Sequence, residues 1–150
     1  MNNPSILIVD DMPANLKLIR LLLTQDGFVV KTAEGAEEAV EALTSYTPSA
    51  VLTDIQLPGI TGLELTRLIR SNPQTRDMVV VGVSANAMKE SIDEGYSAGC
   101  DGYITKPIDT RTFAASVRKY LERGRNPHAN SREPLELESG KSSLVECSQG

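Results

Sequence analysis

The stretch ILIVDDMPAN, residues 6–15, runs four apolar residues straight into two adjacent aspartates, Asp10 and Asp11. Asp54 follows the apolar run AVLT, Ser84 follows MVVVGV, and Lys106 follows GYIT. Each of these polar side chains stands where an apolar run ends. Three carboxylates gathered in one cleft push one another's pKa upward, and a divalent cation relieves that repulsion. Mg2+ suits such a cleft, because it prefers carboxylate and carbonyl oxygens plus water and leaves positions for phosphate oxygens. Lys106 adds a point positive charge of the kind that meets a phosphate, and Ser84 adds a hydroxyl donor. The set suits a phosphoryl group. The sequence holds no P-loop and no Gly-rich nucleotide loop, which leaves a carboxylate as acceptor, and aspartyl phosphates are established covalent intermediates. Asp54, central in the set, is the expected nucleophile.

Singly, each residue has a plainer role. Asp11 suits a helix N-cap, Asp54 a turn residue before Leu57-Pro58-Gly59, Ser84 an ordinary strand end and Lys106 a surface position. The joint pattern carries the signal, and it requires a fold that brings all five to one edge.

The rest of the chain supplies such a fold. Residues 5–9 (SILIV) read as a strand buried on both faces. Leu16, Ile19, Leu22 and Leu23 have helical spacing over 14–26, and Gly27 stops that helix. Residues 28–32, 50–53, 78–83 and 102–105 are further strands. Helices are expected at 35–46, around Leu65, Leu68 and Ile69 up to the Ser71-Asn72-Pro73 break, at 87–97, and at 110–122 with Phe113, Val117, Tyr120 and Leu121 inward. The helix at 87–97 has sparse apolar positions, Met88 and Ile92, which fits a movable element of low stability. Five βα units in a row predict an α/β fold: a doubly wound, parallel five-stranded sheet of the flavodoxin-like (βα)5 type, strand order 2-1-3-4-5. Ligands in such sheets bind outside the carboxyl ends of the strands, where the five polar residues fall. A proline directly after Lys106 predicts a cis Lys106–Pro107 bond, since cis is cheap only before proline.

Composition narrows the class. The chain has 150 residues, 40% hydrophobic and only 4% aromatic, so its core is aliphatic. A net charge of −5 argues against direct nucleic-acid binding. Cys100 and Cys147 are too few and too scattered for a disulfide framework or a CxxC metal site. They fit reduced thiols in a cytoplasmic protein. No apolar run resembles a signal peptide or reaches the roughly 20 residues of a membrane span, so no membrane insertion is expected. Residues 124–150 are polar and aperiodic and are expected to form a disordered C-terminal tail. His128 lies there with no second metal ligand nearby.

The strings ILIVDD, LTDIQLPGITG, VVGVSANA and DGYITKPID resemble, in this order, the receiver domain of two-component response regulators, over residues 4–123. The form DDMPAN is similar to that of single-domain regulators and of hybrid-kinase receivers. The resemblance implies that Asp54 accepts a phosphoryl group from a phosphohistidine on a sensor histidine kinase or histidine phosphotransfer protein. It implies that Asp11, Asp54 and the backbone carbonyl of Gln56 ligate Mg2+, with Asp10 helping through water. Ser84, where threonine is commoner in the family, and Lys106 match the phosphate-contacting hydroxyl and lysine. Tyr103 matches the aromatic switch residue. Such a protein is a signalling switch that catalyses its own phosphorylation and dephosphorylation, and is not a conventional enzyme. The switched face, formed by the fourth helix, fifth strand and fifth helix, would bind a downstream protein or support phosphorylation-dependent homodimerisation. Three other readings stand beside this one. A flavodoxin-like electron carrier would want a phosphate loop after the first strand and aromatics for a flavin. A pseudo-receiver that only binds partners would be expected to have lost some of the five residues. A receiver fragment of a longer hybrid kinase or regulator would make the tail a linker.

Overall fold

A computed structural model describes residues 3–125. The elements run β1 (Ser5–Val9), α1 (Pro13–Gln25), β2 (Val29–Ala33), α2 (Ala36–Leu43), β3 (Ala50–Asp54), α3 (Gly62–Ser71), β4 (Val79–Ser84), α4 (Lys89–Ala98), β5 (Gly102–Thr105) and α5 (Phe113–Arg123). All strand pairs are parallel, in the order β2-β1-β3-β4-β5. The alternation expected from the sequence is therefore the alternation observed, with element ends shifted by a few residues. Of the tail expected over 124–150, the part from 126 onward lies outside the described residues.

β1 shows why its apolar run is unbroken. Successive side chains of a strand point to opposite faces. Ile6 and Ile8 join Leu16, Ile19 and Leu23 of α1 and Phe113, Val117 and Tyr120 of α5 in one core. Leu7 and Val9 join Ala36 and Ala39 of α2 and Leu65 and Ile69 of α3 in the other. Both faces of the sheet are thus covered, which fixes the strand register, because a slip of one residue would exchange the two cores.

The helices follow their apolar periodicity less evenly. Thr61 and Glu64 form a capping box that starts α3, each side chain accepting from the other residue's N–H. Leu68, placed on the apolar stripe of the third helix by spacing, is exposed, as is Val40 of α2. In α4, Ile92 is buried as expected, but Met88 is the N-cap residue and 63% exposed. Gly95, Tyr96 and Ala98 supply the rest of that helix's buried face. The Lys106–Pro107 bond is cis, as expected. No helix among the described residues is long and apolar enough to cross a membrane.

Candidate phosphoryl-acceptor site

Backbone ladders deliver four of the five polar residues to one edge, and Asp11 follows Asp10 in the chain. Asp54 is the last residue of β3 and pairs in register with Val83. Ser84 ends β4 opposite Thr105. Asp10 directly follows β1, its N–H donating to the Ala33 carbonyl at 3.1 Å. Lys106 directly follows β5, its N–H donating to the Ser84 carbonyl at 2.8 Å. These bonds continue the sheet pattern past the strand ends, so the side chains rest on backbone that cannot shift independently.

The side chains converge. Lys106 Nζ lies 3.1 Å from Asp54 Oδ2 and 3.6 Å from Asp10 Oδ2. One carboxylate oxygen from each of Asp10, Asp11 and Asp54 lies within 4.8 Å of the other two. Asp10 and Asp54 are buried and Asp11 is exposed. Backbone N–H groups orient the two buried carboxylates: Met12 donates to Asp10 Oδ1 and Gln56 to Asp54 Oδ1, each at 2.9 Å. Asp11 does not cap α1, whose N-cap is Met12 with Pro13 opening the helix. That leaves its carboxylate turned to the cluster rather than spent on the helix end. Burial pushes the Asp10 carboxyl above its ordinary range; the Met12 hydrogen bond and Lys106 oppose this, and the Asp54 charge adds to it.

This donor set fits a hard divalent cation. Every available ligand is oxygen, Lys106 pairs with two of the three carboxylates, and the exposed Asp11 leaves one side open for water and a further oxygen.

At the same edge, Ser84 Oγ accepts from the Asn86 N–H at 3.1 Å. The Tyr103 hydroxyl donates to the Asn86 carbonyl at 2.9 Å. Burial pushes the Tyr103 phenol upward, and a hydrogen bond to Ser84 opposes the shift. Ser84 and Tyr103, separate in the chain, are thereby joined through the loop after β4. Sequence reasoning misses Asn86 as the connecting residue, although it lies within the string VVGVSANA. Gly62 looks in the sequence like an ordinary loop glycine. A Cβ there would stand 2.2 Å from the Asp54 carbonyl oxygen, so the first turn of α3 presses directly on the Asp54 backbone.

Residues 6–118 match the family model described as "Response regulator receiver domain". The polar-differentiation response regulator DivK of Brucella anthropi is 34% identical over 117 residues, spanning 78% of this chain and 95% of the relative. Among solved structures, a putative response regulator from Chloroflexus aurantiacus aligns with a TM-score of 0.78 at 29% identity, covering 81% of this chain and all of that one. The chemotaxis response regulator CheY4 of Vibrio cholerae aligns with a TM-score of 0.76, covering 79% and 99% of the two chains; at 22% identity it speaks for the fold alone.

Proposed function

This chain belongs to the response regulator receiver-domain family of two-component signalling, and on that premise we propose that it takes a phosphoryl group from a phosphohistidine onto Asp54 in a Mg2+-dependent reaction. The observation that carries the reading is the convergence of Asp10, Asp11, Asp54 and Lys106 at the carboxyl edge. Phosphoryl transfer passes through a loose, in-line transition state with charge on the equatorial oxygens, so placement and charge supply most of the catalysis. Asp54 is held at both oxygens, by the Gln56 N–H and by Lys106, with its carboxylate directed into the cluster. One oxygen attacks phosphorus while the phosphorus–nitrogen bond breaks, its electron pair remaining on the donor imidazole. Lys106 moves its charge from the carboxylate to the arriving phosphoryl oxygens. Asp11 and Asp54, with Asp10 and the Gln56 carbonyl, would hold Mg2+. When bound, that ion supplies further neutralisation of the phosphoryl charge.

The readout follows from the Ser84–Asn86–Tyr103 linkage. A phosphoryl group on Asp54 draws the Ser84 hydroxyl toward itself, and Tyr103 settles into the space released. The Tyr103 hydroxyl already reaches the Asn86 carbonyl, so phosphorylation shifts a population between existing states. The face that changes is α4–β5–α5. Between its helices lies a groove of about 580 Å³, with Ile92, Tyr96, Tyr103, Phe113 and Lys119 in its lining. A sensor histidine kinase or histidine phosphotransfer protein is the proposed donor. A downstream protein, or a second copy of the chain, is the proposed reader.

Incubation with a small phosphodonor and Mg2+ should raise the intact mass by one phosphoryl group, and chelation or Asp54→Asn should prevent the gain. Mg2+ should also raise the melting temperature by binding the native state, and Asp11→Ala should remove that rise. Full labelling of Asp54→Asn would refute the assignment.

A further inference from the structure

α4 contains a glycine where a helix has least use for one. Gly95 lies inside the helix, away from the C-cap that Gly99 provides in a left-handed conformation, φ 120°. A glycine in a helix interior destabilises it relative to alanine. Gly95 is nonetheless buried, so the position faces something. A Cβ built there would stand 3.0 Å from Tyr103 Cδ2 and 3.1 Å from Cε2. Apart from the chain neighbours and the helix's own backbone, nothing else among the described residues lies within 4 Å of it. The missing side chain is therefore filled by one object, the edge of the Tyr103 ring.

That ring is held at its far end by the hydroxyl bond to the Asn86 carbonyl, and it borders the groove between α4 and α5. It cannot retreat from a new methyl group without disturbing the hydroxyl bond, and the open direction is the groove. We propose that Gly95 is a positioning residue for the switch: the gap it leaves in α4 seats the Tyr103 ring on the Ser84 side and couples the placement of α4 to that of the ring. The inference rests on the reading of Tyr103 as the switch residue, and adds to it the element that α4 contributes. An alanine at 95 moves Tyr103 toward the groove, weakening the phosphorylation response on the α4–β5–α5 face.

The test is a thermodynamic cycle with a spectroscopic readout. Melting temperatures are measured for wild type, Gly95→Ala, Tyr103→Ala and the double variant. Fluorotyrosine-labelled wild type and Gly95→Ala are compared by 19F NMR with and without a small phosphodonor and Mg2+, the Tyr103 resonance being the one lost in Tyr103→Ala. Gly95→Ala should raise the melting temperature in the Tyr103→Ala background, as filling a helix glycine does, and should raise it less, or lower it, when the ring is present. It should also displace the Tyr103 resonance and reduce its movement on phosphorylation. Equal increments in the two backgrounds, or an unmoved resonance, would overturn the proposal. A wild-type Tyr103 resonance that ignores phosphorylation while the cycle shows coupling would instead overturn the switch reading and leave the seat as packing alone.

Discussion

Buried aspartates occupy both ends of the sheet, and their surroundings are opposite. At the amino end, just before β5, Asp101 accepts from Arg70 Nη2 at 2.7 Å, from the Val80 N–H at 2.9 Å and from Arg125 Nη1 at 2.5 Å. Arg70 is itself tied to the carbonyls of Gly99, Arg76 and Met78. Burial lowers the Arg70 guanidinium pKa and the Asp101 charge opposes the shift. One carboxylate meets two cations there. At the carboxyl end, three carboxylates gather beside one ammonium, which pairs with Asp10 and Asp54. A buried charge with all its partners ties elements together, here β4, β5, α3 and the residues after α5. A buried charge left in excess costs stability and is kept where a ligand supplies the missing charge. The same residue type thus marks architecture at one end and a candidate site at the other.

The sharpest way to break this comparison is to delete one aspartate at each end. Asp101→Ala leaves two guanidinium groups and a buried N–H without their acceptor. Breaking a buried pair in this way costs about 3–5 kcal/mol, and a drop of that size in denaturant-unfolding free energy is expected. Cys100 gives an independent readout. It is fully buried, and burial pushes its thiol up to about 11, so it should resist alkylation in the native chain and react readily in Asp101→Ala.

Gly62→Ala tests how firmly the site end is held by backbone. The added methyl has no room beside the Asp54 carbonyl oxygen. Overpacking of this kind costs about 1–3 kcal/mol, and here the displaced backbone carries the proposed acceptor, Asp54. Slower labelling by a small phosphodonor should accompany the loss of stability; wild-type labelling would mean that α3 does not position Asp54.

Asp10→Asn should do the reverse of Asp101→Ala. It removes one of the crowded charges while an amide oxygen still accepts from the Met12 N–H. In Mg2+-free buffer the variant should match or exceed wild type by up to about 1 kcal/mol. The rise in melting temperature on Mg2+ addition should shrink. A large destabilisation would show that Asp10 is structural, like Asp101.

The smallest effect concerns Arg125. Its side chain is 31% exposed and shares Asp101 with Arg70 and Val80, so a chain ending at Gly124 should lose about 1 kcal/mol relative to one ending at Arg125. Phosphorylation should be equal in the two.

The site end is legible in the sequence because its residues sit at fixed offsets from apolar runs. Once five alternating units imply a parallel sheet, Asp10, Asp54, Ser84 and Lys106 must share an edge. The amino-end cluster offers no such signal. Arg70 and Arg125 lie 31 and 24 residues from Asp101 in the chain, on elements whose relative placement only the packed fold determines. Asp101 is visible only as the first letter of a motif. α4 is hard to read for a related reason. Its buried face is built from Ile92, Gly95, Tyr96 and Ala98, and only Ile92 registers on an aliphatic periodicity scale. Met88 fits the stripe by spacing, yet it sits at the helix start, facing solvent.

One measurement bears most directly on the proposed role of the carboxyl end. The chain is labelled with a small phosphodonor and Mg2+, then reduced with borohydride, which converts an aspartyl phosphate to homoserine, and its peptides are sequenced by mass spectrometry. Homoserine should appear at position 54 and at no other aspartate. Homoserine at position 10, 11 or 101, or an unmodified chain under conditions where Mg2+ stabilises the fold, would contradict the assignment of Asp54 as the acceptor.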